Sequence, residues 1–226
     1  MRFPPWRTVW YSCCHVVCRL IAVVVFRFRV WGGRNEHDVL DGGLLVCSNH
    51  QSHFDPVLVG LTLRRQLNFL ARETLFGFTP FRFLILSLNA IPIDREGFGL
   101  SGIKETLRRL KRGEAVLVFP EGTRTRNGEV ASLKPGFCAI ARRGKVPLLP
   151  VAIEGAFDAW PRHQKLPRIA AIQVSVGPPI MPEEVQRLSD EELLAELQRR
   201  MCVCHARARA GIRRGSRPNS CRGATP

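Results

Sequence analysis

Acid is what this sequence is short of. Its 226 residues carry 19 Asp+Glu against 34 Lys+Arg, a formal charge of +15 and a pI near 10.7. That balance favours an anionic partner, whether nucleic acid, a membrane surface or a phosphorylated substrate, without choosing among them. No CxxC pair exists among the 8 cysteines, so a zinc ribbon is not supported. Cys13, Cys14 and Cys18 crowd one apolar segment and Cys202 and Cys204 another, a poor layout for a disulfide framework. They read as reduced, mostly buried small apolar residues, in keeping with the cytosol or its membrane face. No small-residue cleavage site follows the N-terminal apolar segment, which argues against a signal peptide. A long apolar run is also missing there. The uncharged stretch Leu20 to Phe26 is far shorter than the ~20 apolar residues a spanning helix needs. No internal repeat is found.

What is present is an ordinary globular composition, 45% apolar and 23% charged, with length for one domain and a real core. The N-terminus mixes Trp6, Trp10, Tyr11 and Trp31 with Arg2, Arg7, Arg19, Arg27 and Arg29. Aromatics with snorkelling arginines fit a segment lying in a bilayer interface. The plainer reading is a helix packed on the core. From Gly43 the chain alternates short strands with helices. Leu44 to Cys47, Leu67 to Ala71, Ala90 to Asp94, Ala115 to Phe119, Leu148 to Ile153 and Ile169 to Val176 read as strands. Asp55-Pro56 and Thr79-Pro80 are cap-plus-proline openings for helices Pro56 to Leu63 and Phe81 to Leu88. In "SGIKETLRRLKRG", Ile103, Leu107 and Leu110 share one face of a helix ended by Gly113. Pro135 to Arg143 reads as a further short helix, and Ser189 with Glu192 is a capping box opening the last one. The pattern predicts an α/β domain with a central, mostly parallel sheet flanked by helices, after an N-terminal membrane-associating helical segment. The expected divisions are 1–31 for that segment, 32–205 for the domain and 206–226 for a flexible basic tail with arginines and no acid.

Candidate chemistry begins at "CSNHQSHFDP". His50 follows a strand end, and Asp55 comes five residues later. On a continuous helix the two would lie about 140° apart, since each residue turns ~100°. They meet only if the chain bends between them, and an N-cap at Asp55 supplies that bend. Asp55 could then accept the imidazole N–H and leave the other ring nitrogen free to take a proton. The alternatives are a surface loop histidine beside a plain N-cap, or a metal site using His50, His53 and Asp55. The remaining histidines stand in no arrangement that would complete the metal site, so no metal is expected. In "FPEGTR", Gly122 lets backbone N–H groups approach an anion, and Thr123 and Arg124 add donors beside Glu121. Arg95 in "AIPIDR" and Lys134 in "LKPGF" are further anion contacts in prospect, each with a solvated surface charge as the plain alternative.

The order "NHQSHFD", "AIPIDR", "FPEGTR", "VPLLPV" closely resembles the four blocks of the glycerolipid acyltransferase family, the 1-acylglycerol-3-phosphate acyltransferases and their relatives. The resemblance covers roughly Gly43 to Val176. It implies that His50 is the catalytic base and Asp55 its partner. It implies that Arg95, Glu121, Gly122, Thr123 and Arg124 bind the phosphate and glycerol of a lysophospholipid acceptor. The donor it implies is an acyl-CoA or acyl carrier protein thioester, with no other cofactor. The expected setting is an anionic membrane surface on the cytoplasmic side, with no nucleic acid. The chain departs from the pattern at Asn89, where glycine is usual, and at Pro92, where an aromatic is common. Rival readings are the same chemistry on glycerol-3-phosphate or a lyso-aminolipid, and, more remotely, a non-catalytic basic protein binding membranes or nucleic acid.

Overall fold

The strand Leu44–Ser48 is buried at all five positions, so it needs a neighbour on both edges and a layer on both faces. The computed structural model, which describes residues 5–72, 89–93 and 100–215, provides both. In chain order the elements are α1 (Pro5–Phe26), β1 (Arg29–Trp31), a 3₁₀ turn (Gly33–Val39), β2 (Leu44–Ser48), α2 (Asp55–Gly60) and β3 (Leu67–Arg72). After these come β4 (Ala90–Ile93), α3 (Leu100–Lys111), β5 (Ala115–Val118), α4 (Gly136–Gly144) and β6 (Leu148–Glu154). The chain closes with α5 (Ala156–Ala159), β7 (Gln173–Val176), α6 (Pro182–Arg187) and α7 (Asp190–Gly215). The described strands form one sheet of order β1-β7-β6-β2-β5-β3-β4. All neighbours are parallel except β6 and β7.

Alternation along each strand splits the core in two. Leu44, Val46, Leu117, Val151 and Ile153 face one side, where Ala22 of α1 and Leu58 of α2 cover them. Leu45, Cys47, Val116, Val118 and Leu148 face the other, against Leu110 of α3, Ile140 of α4 and Leu197 and Met201 of α7. The fold is the expected mostly parallel sheet flanked by helices. The chain leaves β2 for β3 on one side and later returns to place β6 on the other side of β2. The crevice at the C-terminal ends of β6, β2 and β5 is therefore the natural ligand position in this sheet.

Several local expectations change. The helix expected over Phe81 to Leu88 and the residue Arg95 lie outside the described residues. Phe54, not Asp55, takes the N-cap position of α2, because the Asp55 carboxylate turns back onto the preceding loop. The last third of the chain holds the largest difference. The segment expected as a flexible tail is helical through Gly215, ten residues into the range 206–226. It contains no acid, but acids elsewhere meet it. Arg209 bonds Glu154 at 2.9 Å and Glu129 at 2.8 Å, and Ala208 is fully buried. Gly211 lets the helix close on β7, where any Cβ would collide with the Gln173 side chain. The helix opens with the expected capping box: Ser189 N–H donates to Glu192 Oε2 and Glu192 N–H to Ser189 Oγ. Of the seven cysteines described, all free thiols, only Cys47, Cys138 and Cys204 are buried, because Cys13, Cys14, Cys18 and Cys202 sit on helix faces that are exposed or only partly covered.

α1 departs from the expectation that the N-terminal apolar segment is too short to span a membrane. An 18-residue window, Val9–Phe26, has a mean hydropathy of 1.9, so the helix is long and apolar enough to cross a membrane. One face of it packs along the domain. Leu67 N–H donates to the Tyr11 hydroxyl, and the Arg19 guanidinium donates to the Leu61 carbonyl at 2.7 Å. Its end is pinned by Ile172 N–H to the Phe26 carbonyl. Val9, Trp10, Val16, Val17, Leu20, Ile21, Val23 and Val24 are exposed, and at ~100° per residue they fall within an arc of about 160° on the far side.

Candidate active site

β2 ends at Ser48, and the next residue locks the departure of the chain. The Asn49 side chain donates to the Ile153 carbonyl at 2.9 Å and accepts from the Ile153 N–H at 2.7 Å. A side-chain amide thus continues the β2–β6 pairing while the backbone turns away. The bend brings His50 and Asp55 together, with His50 Nδ1 at 2.7 Å from Asp55 Oδ2. The same oxygen accepts the Gln51 N–H at 2.6 Å and the Ser52 N–H at 2.7 Å. Three donors on one fully buried carboxylate fix it in place. With Nδ1–H given to Asp55, the ring presents Nε2 as an acceptor. Nε2 has no hydrogen-bond partner among the described residues, and the His50 side chain is 21% exposed. Phe119, just past β5, stacks on the imidazole with centroids 3.9 Å apart and planes 14° apart, which sets the ring plane.

The turn after β5 faces this loop. Thr125 N–H donates to the His50 carbonyl at 2.7 Å, and His50 N–H donates to Glu121 Oε1 at 3.3 Å. Glu121 is 3% exposed, and its Oε2 has no partner among the described residues. Burial pushes the Glu121 carboxyl up to about 8, with the nearby Asp55 adding to the rise, against the opposing N–H bonds from His50 and Ala131. Glu121 is therefore largely neutral at pH 7, and it places little negative charge beside the cations of this turn. Gly122 sits at φ +73, and a Cβ there would stand 3.0 Å from Lys134 Nζ, so the glycine makes room for that ammonium. The Arg124 guanidinium contacts His53 Nε2 in the opposite loop. Thr123 is exposed in the same turn.

The structure thus gathers His50, Asp55, Glu121, Gly122, Arg124 and Lys134 at one end of the sheet, while Arg95 lies outside the described residues. Sequence reasoning missed the roles of Asn49, Gln51 and Phe119. Asn49 and Gln51 stand inside the quoted block, but their partners lie across the fold. The Gln51 side chain donates to the Gly128 carbonyl at 2.5 Å and accepts the Phe157 N–H at 3.2 Å. Ser52 is occupied: its hydroxyl donates to the Trp160 carbonyl at 2.8 Å and accepts the Phe54 N–H at 3.2 Å. An aligned base, a positioned carboxylate and adjacent cations suit proton removal from a hydroxyl whose carrier is anionic.

The acyltransferase family model matches residues 29–154, from β1 through β6. The 1-acyl-sn-glycerol-3-phosphate acyltransferase of Bacillus subtilis (strain 168) is 32% identical over 158 residues, which is 70% of this chain and 76% of that protein. The protein of the same name from Pseudomonas aeruginosa is 30% identical over 184 residues, 79% of this chain and 69% of that one. In fold, the chain is similar to the crystal structure of the 1-acyl-sn-glycerophosphate (LPA) acyltransferase PlsC from Thermotoga maritima. The TM-score is 0.74 at 24% identity, over 95% of this chain and 83% of that one.

Proposed function

The chain belongs to the acyltransferase family, and from that premise we propose that it transfers an acyl chain from a thioester to the free hydroxyl of 1-acylglycerol-3-phosphate, giving phosphatidate. The observation that carries this reading is the His50–Asp55 pair, 2.7 Å apart with Nε2 open, beside a turn that offers cations. The names of the relatives supply the acceptor. His50 Nε2 takes the hydroxyl proton as that oxygen attacks the thioester carbonyl. Asp55 holds the ring and stabilises the imidazolium. The tetrahedral intermediate collapses, the C–S bond breaks, and the departing sulfur takes the proton back from His50. Ser52 supports a direct transfer without an acyl-enzyme, since its hydroxyl is already bonded within the loop. Arg124 and Lys134, with Arg95, hold the phosphate, and positioning supplies much of the acceleration. A neutral Glu121 leaves that anion unopposed.

α1 supports a membrane setting. Its outward apolar arc seats in the interface of an anionic leaflet on the side that meets acyl-CoA or acyl carrier protein, and each nearby Lys or Arg adds ~1 kcal/mol. Flotation with anionic vesicles tests this: Val17→Asp with Ile21→Asp leaves the protein at the bottom of the gradient, and flotation equal to wild type removes the idea.

The deciding experiment is acyl transfer to lysophosphatidate in detergent micelles, with labelled acyl-CoA or acyl carrier protein, wild type beside His50→Ala. The wild type makes phosphatidate, and the folded variant falls by ~10²–10⁴-fold. A fully active variant overturns the mechanism. A wild type inactive with both donors on lysophosphatidate overturns the choice of acceptor, and glycerol-3-phosphate and lyso-aminolipids are then the acceptors to assay.

A further inference from the structure

We propose that His205, on the C-terminal helix, is a positioning residue that holds the His50–Asp55 loop in its working shape through Glu154 and Gln51. This rests on the reading of His50 and Asp55 as the base and its partner. Glu154 ends β6, beside the end of β2, and its carboxylate is where α7 meets the loop. His205 Nε2 stands 2.5 Å from Glu154 Oε2. Arg209, four residues on and so on the same face of the helix, donates to Glu154 Oε1 at 2.9 Å. The Gln51 amide reaches the same Oε2 at 3.4 Å and lies 3.3 Å from His205 Nε2.

One ring nitrogen cannot both donate to Glu154 and accept from Gln51. The shorter contact takes the proton, so His205 Nε2–H bonds Glu154. The two N–H groups of the Gln51 amide then point to the Gly128 carbonyl at 2.5 Å and to Glu154. His205 and Glu154 thus form one side of the socket in which the Gln51 side chain sits. Gln51 in turn gives its backbone N–H to the Asp55 oxygen that orients His50. The chain of contacts runs α7, Glu154, Gln51, Asp55, His50 without a gap. Glu154 behaves as a committed partner: burial raises its carboxyl, but His205 and Arg209 together carry it below the ordinary value.

His205 is 5% exposed and adjoins a cavity of about 390 Å³ that Glu129, Cys202, Arg209 and Arg213 also line. Replacement by alanine opens the imidazole's place to this cavity and creates no clash. A histidine that merely filled space would be replaceable by any side chain of similar size. A histidine that positions the loop is replaceable only by one that donates to Glu154 from the same place.

The test uses the full chain with His205→Ala and His205→Gln, the glutamine amide reaching where Nε2 stood. Two quantities are read. One is amide hydrogen exchange at Gln51 and Ser52, whose N–H groups bond Asp55. The other is kcat and KM for transfer from acyl-CoA to lysophosphatidate. His205→Ala speeds exchange at these two amides while the β5 amides keep their protection, and kcat falls by ~10- to 100-fold with acceptor KM nearly unchanged, the cost of a misplaced base. His205→Gln restores both. Unchanged exchange at Gln51 and Ser52, a loss of protection spread evenly over the sheet, or no rescue by glutamine each overturns the proposal. If wild type shows no transfer, the substrate reading falls, and the exchange measurement alone still decides the role of His205.

Discussion

The two loops that meet at His50 treat their polar atoms in opposite ways. In the loop after β2, Asn49, Gln51, Ser52 and Asp55 are each at most 1% exposed. Their side chains bond Ile153, Gly128, Phe157, Trp160 and the loop's own N–H groups. In the turn after β5, Gly122 and Thr123 are exposed, while Glu121, like Asp55, keeps one oxygen without a partner among the described residues. Lys134, which stands against that turn, is exposed as well. One loop uses its polar groups to hold His50 still. The other leaves them to meet something that arrives. A hydrogen-bonded network inside the protein changes as a unit when one member is lost. Exposed donors act one at a time. The first loop should therefore govern turnover, and the second the capture of the acceptor.

Asp55→Asn is the largest break. An amide whose oxygen takes the Oδ2 place keeps the three hydrogen bonds but removes the negative charge that favours the imidazolium form of His50. The expected loss in kcat is ~10²–10⁴-fold with acceptor KM little changed. Steady-state kinetics on a variant with a native circular dichroism spectrum checks this, and a change confined to KM would reverse the roles assigned to the loops.

Arg124→Ala comes next and should do the converse. Losing a charge-assisted hydrogen bond to a phosphate costs about 1.5–3 kcal/mol, or roughly ten- to a hundredfold in acceptor KM, with a smaller change in kcat. Titration of lysophosphatidate at saturating donor measures it. A pure kcat defect would place Arg124 with the base instead of the acceptor.

The last prediction concerns stability, through Glu121 and pH. Its carboxyl is raised in the folded chain from 4.5 to about 8, so the folded state holds a proton that the unfolded state has released over that interval. The stability it contributes is full below pH 4.5 and is lost as pH rises through about 8. Glu121→Gln removes this slope and leaves the variant more stable than wild type at the alkaline end. Urea unfolding midpoints between pH 5 and pH 9 (roughly the interval over which the linkage acts) would show the two curves diverging upward in pH, and parallel curves would count against a buried neutral carboxyl.

How far the sequence could be read depended on distance along the chain. His50 and Asp55 were legible because five residues separate them and the bend between them is local. The helix openings at Asp55-Pro56 and Ser189 were legible for the same reason, although the carboxylate of Asp55 turned backward and left the cap position to Phe54. The first ten residues of the expected flexible tail were misread because the acids they meet are borrowed: Arg209 meets Glu129 and Glu154, 80 and 55 residues away. A count of charges within the segment contains no trace of them. α1 was ambiguous for a related reason. Its pattern shows that much of its surface is apolar but not which face the domain covers.

The order of residues by itself determined the strand and helix alternation, the pairing of His50 with Asp55, and the family to which the chain belongs. All of these are written in short spacings and side-chain types. Tertiary structure alone decided that Glu121 is buried beside His50 with its carboxyl raised, that α1 turns its apolar arc outward, and that the last helix reaches the loop of His50 through His205 and Glu154. Those outcomes depend on which groups share a dry space after folding. Desolvation and hydrogen bonding act through that space and take no account of the number of residues between.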